Sequence, residues 1–84
     1  MSVRIHPTAI IEANVSLGSG TSVWDNVHIR HDATLGEECI VGGKSTIAYG
    51  VTIGNRVKLN SQVYICNGVT IEDVSHLWGK TVSE

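Results

Sequence analysis

His28 and Arg30 stand two residues apart, Glu12 precedes Arg30 by eighteen, and Asn60, Gln62 and Tyr64 follow at alternate positions further along. A histidine can serve as a general base, and at a surface or a subunit contact it has the plainer role of an exposed polar side chain. Arginine presents planar paired donors to phosphate or pyrophosphate. Asn60 and Gln62 add side-chain amides, and Tyr64 falls in one eighteen-residue column with His28. These five residues are the substrate-binding candidates. An exposed Arg30–Glu12 ion pair and corner amides bonded to their own backbone are the plainer account of the same residues. No catalytic residue is assigned.

Metal chemistry is a poor fit. His28 and His31 are three apart, His6 and His76 lie near the ends, and zinc needs three or four converging ligands. Cys39 falls in an inward row and Cys66 in an outward place on another strand, so neither a disulfide nor an activated thiol is expected.

What must position these side chains is a comb of period six. Ile5, Ile11, Leu17, Val23, Ile29, Leu35, Val41, Ile47, Ile53, Leu59, Ile65 and Ile71 form it without an insertion. A second row four residues later, from Ala9 through Cys39 and Ser45 to Val69, is small or β-branched. Six matches neither a helix nor a two-sided strand; it matches a short strand plus a turn, stacked into a parallel β-helix. Gly18, Gly36 and Gly54 mark a longer period of eighteen, three hexads to a coil. The expectation is four triangular coils, near 5–22, 23–40, 41–58 and 59–76. Asn14, Gly20, Asn26, Asp32, Gly50 and Gly68, each three after a tooth, belong at corners that need positive φ.

Residues flanking the teeth point outward in this reading. The first face carries Arg4, His6, Trp24, Ile40, Lys58 and Asn60; the second carries Ile10, Glu12, His28, Arg30, Ala48, Tyr64 and Cys66; the third is a ladder of Ser and Thr. Exposed Trp24, Ile40, Ile10 and Tyr64 mark the first two faces for subunit contact. The chain reads as a single domain, 1–84, with the repeat over 5–73 and a tail, 74–84. The tail is expected to fold over the open end, Leu77 and Trp78 covering the core and stopping edge pairing.

Composition narrows the partners. The net charge is −2 with no basic stripe, so no nucleic acid and no anionic membrane surface is expected. No apolar run reaches eighteen residues and no leader-like segment opens the chain, so the cytoplasm is the default expectation. A chain of 84 residues builds a small core and is expected to need partners.

The hexads LGSGTS, LGEECI, IAYGVT and IGNRVK resemble those of the hexapeptide-repeat acyltransferases. The strings IHPTAIIE, SVWDNVHI and VKLNSQVYICNGVTIED look more narrowly like the N-terminal half of bacterial nucleotide-sugar N-acetyltransferases. The resemblance implies an all-β, left-handed parallel β-helix; the hand comes from it alone, since parallel crossovers are otherwise right-handed. It also implies a homotrimer, a nucleotide-sugar ligand, and acetyl-CoA bound between subunits along later coils. Those coils have no counterpart here. The implied function is that of a truncated or minimal transferase-like protein, inactive alone; the alternative is a non-catalytic β-helix module for assembly or protein binding.

Overall fold

In the computed structural model the described residues are 2–73, 76–77 and 81–82. Each tooth and the residue before it form a two-residue strand. The first coil holds β1 (Arg4–Ile5), β2 (Ile10–Ile11) and β3 (Ser16–Leu17); the second β4 (Ser22–Val23), β5 (His28–Ile29) and β6 (Thr34–Leu35). The third holds β7 (Ile40–Val41), β8 (Thr46–Ile47) and β9 (Thr52–Ile53), and the fourth β10 (Lys58–Leu59), β11 (Tyr64–Ile65) and β12 (Thr70–Ile71). Then come β13 (His76–Leu77) and β14 (Thr81–Val82). Three parallel sheets result: β1-β4-β7-β10-β13, β2-β5-β8-β11-β14 and β3-β6-β9-β12. This is a parallel β-helix of about four turns, consistent with the left-handed coil that the resemblance implies. Register steps by eighteen, as in Val23↔Val41 and Ile29↔Ile47, so like teeth stack in columns.

The core is those columns. Ile29, Ile47 and Ile65 of the second face are fully buried, with Val41, Leu59, Leu35 and Ile53 beside them. Ile5 departs from the expectation: it is 47% exposed, because its column has no described coil beneath it. Ala48 and Cys66, expected outward, are buried and half-buried respectively; their short side chains sit where the second face turns its corner.

The corners explain the remaining pattern. All ten positions three after a tooth, from Asn14 to Gly68, have φ between 55° and 79°. Strand amides bond to the following coil, as from Arg30 N to Ile47 O, 2.8 Å. The left-handed corner residue turns its amide the other way, as Lys44 N to Asp25 O and Arg56 N to Glu37 O, both 2.8 Å. Each coil is thereby bonded on both sides. The conformation recurs at Glu38, Lys44, Arg56 and Gln62, which carry no turn signature. In the second row, buried Thr21 and Ser45 serve as bridges. Thr21 Oγ1 donates to Gly36 O at 2.8 Å and accepts from Cys39 N; Ser45 Oγ donates to Asn60 O and accepts from Val63 N, both 3.1 Å.

The segment after Ile71 continues the coil. His76–Leu77 pairs with Lys58–Leu59, and Thr81–Val82 pairs with Tyr64–Ile65, so two edges are covered by parallel strands of a fifth turn. In sequence Leu77 falls at the next place in the period of six, and Val82 comes one residue short of the one after. The expected cap residue Trp78 lies outside the described residues.

Candidate functional site

The structure divides the five candidate residues among three places. His28 and Arg30 converge on Glu12, one coil earlier. Nε2 of His28 lies 2.7 Å from Glu12 Oε2, Nε of Arg30 lies 3.2 and 3.1 Å from the two carboxylate oxygens, and the His31 amide donates to Oε1 at 3.0 Å. The eighteen-residue step places Arg30 directly over Glu12, and His28 and the His31 amide, two before and one after it, reach the same carboxylate. The His28 hydrogen bond above all, joined by those from Arg30 and His31, holds the Glu12 carboxyl below its ordinary range, with partial desolvation opposing. His28 and Glu12 keep side-chain exposures of 38% and 29%, so the pair is open to a ligand.

A carboxylate accepts only, so the short contact sets the imidazole with Nε2–H toward Glu12. In the neutral ring Nδ1 then keeps its lone pair. Tyr49, which the sequence reading missed, stacks on His31 with ring centroids 5.2 Å apart and planes 5° from parallel, and the Arg30 guanidinium carbon lies 6.0 Å from the same ring. His31 Nδ1 in turn lies 2.7 Å from Asp32 Oδ2. The eighteen-residue spacing from His31 to Tyr49 was the available signal.

Tyr64 stands two strands from His28 on the same face, with Thr46 between them, and is 43% exposed. Asn60 and Gln62 belong to the corner between the first and second faces. They line a groove of about 670 Å³ with Trp24, Asp25, Lys44 and Lys58. His76 Nε2 lies 3.1 Å from Asn60 Oδ1.

A family model for the bacterial transferase hexapeptide (six repeats) matches residues 14–49. Residues 14–49 thus carry the hexapeptide repeat found in bacterial transferases. Over 55 residues it is 36% identical to the acyl-(acyl-carrier-protein)–UDP-N-acetylglucosamine O-acyltransferases of Brucella ovis and Brucella abortus, covering 66% of this chain. The match takes in 20% of those relatives, a fifth of their length. Among solved structures, perosamine N-acetyltransferase from Caulobacter crescentus, crystallised with CoA and GDP-perosamine, is 30% identical with a TM-score of 0.75, over 98% of this chain and 48% of that one. The acetyltransferase domain of PglB from Neisseria gonorrhoeae superposes with a TM-score of 0.82 at 16% identity, over 98% of this chain and 49% of that one, a likeness of fold. Among the described residues no helix is long and apolar enough to cross a membrane, and no three potential metal-ligating side chains gather.

Proposed function

We propose that the chain is the β-helix module of a nucleotide-sugar acyltransferase, cytoplasmic and assembled as a homotrimer. Its acceptor side is formed from His28, Arg30, Asn60, Gln62 and Tyr64, and acetyl-CoA is the donor. The observation that carries this reading is the Glu12–His28 contact of 2.7 Å on the open second face. Glu12 fixes the imidazole, whose Nδ1 lone pair accepts the proton of an acceptor hydroxyl or amine as that atom bonds to the acyl carbon. Acetyl-CoA, when bound, would supply the acyl group, and CoA would leave as the thiol by taking that proton back from His28 as the thioester bond breaks.

Release of free CoA thiol from acetyl-CoA in the presence of UDP-amino sugars, followed alongside isothermal titration with each ligand, tests this. Turnover is expected of the assembled trimer and not of the single chain, with His28→Gln lowering kcat about a hundredfold at unchanged KM. Neither heat nor thiol release from folded protein would reject it. That result would favour the second reading, an assembly module, which rests on the exposure of Trp24, Ile40, Ile10 and Tyr64.

A further inference from the structure

The corner between the first and second faces is notched. In the column His6, Trp24, Gly42, Asn60 the third coil places glycine where its neighbours carry side chains, and it does so again in the adjoining column Asp25, Gly43, Ser61. Both glycines are fitted to their neighbours. A Cβ on Gly42 would lie 2.6 Å from the Asn60 carbonyl carbon, and one on Gly43 would lie 2.6 Å from Asp25 Oδ1. The notch opens the 670 Å³ groove, with Trp24, 53% exposed, and Ile40 as its apolar surfaces.

Lys44 and Lys58 line the same groove. Among the described residues neither ammonium group forms an ion pair with Asp25 or with another carboxylate. The contact with His76 engages Asn60 Oδ1 and leaves the amide NH2 to donate. Two cations and an amide donor beside an indole suit a dianion attached to a ring with an apolar face. Asp25, Ser61 and Gln62 add the mixed acceptors and donors that vicinal hydroxyls require. Two coil steps, about 10 Å at ~4.8 Å each, separate the level of Trp24 from that of Lys58.

We propose that this groove binds a phosphorylated pyranose, the sugar ring against Trp24 and the phosphate between Lys44 and Lys58. A phosphate monoester, at about −1.5 to −2 charge, matches both lysines, whereas a sugar carboxylate matches one. The proposal shares a saccharide ligand with the transferase reading but stands without it, needing neither His28, nor Glu12, nor an acyl donor.

The test follows the Trp24 indole N–H by NMR in the full chain, assigned through Trp24→Phe, during titration with glucose 6-phosphate. A saturating shift is expected, with glucose and inorganic phosphate each at least about tenfold weaker. Lys58→Gln and Lys44→Asn should each weaken binding about tenfold in protein that keeps the parent's backbone amide spectrum; asparagine tolerates the φ of 62° at position 44. Equal binding of glucose, or binding that survives both lysine substitutions, would overturn the proposal. Glucuronate binding as tightly as the phosphate ester would remove the dianion, and tighter binding of 5′-UMP would make the site a nucleotide site. The readout involves no acetyl-CoA, so failure here and failure of acyl transfer are separate results.

Discussion

At the scale of single residues, Glu12 carries the most interactions of any charged side chain in the candidate site: one carboxylate receives donors from His28, Arg30 and the His31 amide. Its carboxyl is held low, so its contribution to stability is full above the pKa of the unfolded chain and is lost as pH falls through the folded value. Glu12→Gln should therefore melt below the parent at pH 7, and the gap should close as the solution is acidified through and below the ordinary carboxylate range. Melting curves at half-unit pH steps measure it; a gap that persists at the most acid pH where both fold would contradict the assigned role. Sequence alone paired Arg30 with Glu12, because eighteen residues separate them. It did not bring in His28, whose reach to the same carboxylate depends on a side-chain direction that spacing leaves open.

At the scale of elements, the teeth were legible because every one of β1 to β12 ends on one, and from β4 to β12 each of them is buried. The corners were legible only in part. Asn14, Asn26, Asp32 and the glycines announced positive φ, while Glu38, Lys44, Arg56 and Gln62 adopt it with φ from 56° to 62° against their own preference. The coil imposes it: the corner amide must reach the carbonyl of the preceding coil, and the eleven parallel pairings on either side outweigh a local cost of about 1–2 kcal/mol. Arg56 is exposed and bonds through its backbone amide to Glu37 O. Arg56→Gly should thus raise stability by about 0.5–1 kcal/mol, since glycine loses more chain entropy but removes the strain. Chemical denaturation reads this directly, and a destabilisation of similar size would mean that the arginine side chain contributes more than its backbone costs. The fifth turn was illegible for a related reason: Val82 arrives one residue early, and a strict period of six has no place for it.

At the scale of the whole molecule, the accessible surface is 4704 Å², against about 4,900 Å² expected of a compact single chain of 9.0 kDa. Area alone thus requires no partner. The distribution of that surface does favour one. Ile40, Arg4 and Lys58 lie on the first face, with Lys44 at its corner with the second and the groove open along that rim, while Glu37, Glu38, Glu72 and Asp73 crowd the corner between the third and first faces. A basic, apolar surface beside an acidic corner is complementary to its own copy when the contact is head to tail, and poorly complementary across a two-fold axis, which would set like charges together. A head-to-tail contact that closes produces a ring, and three prisms form the ring that the transferase reading proposes. Light scattering at micromolar concentration in low salt should therefore give about three times 9.0 kDa. Added salt should shift the mass downward as the screening length shortens, and the melting temperature should rise with protein concentration. A mass of 9.0 kDa in low salt, with a melting temperature independent of concentration, would mean that the charge pattern serves another partner and that the prism is stable alone.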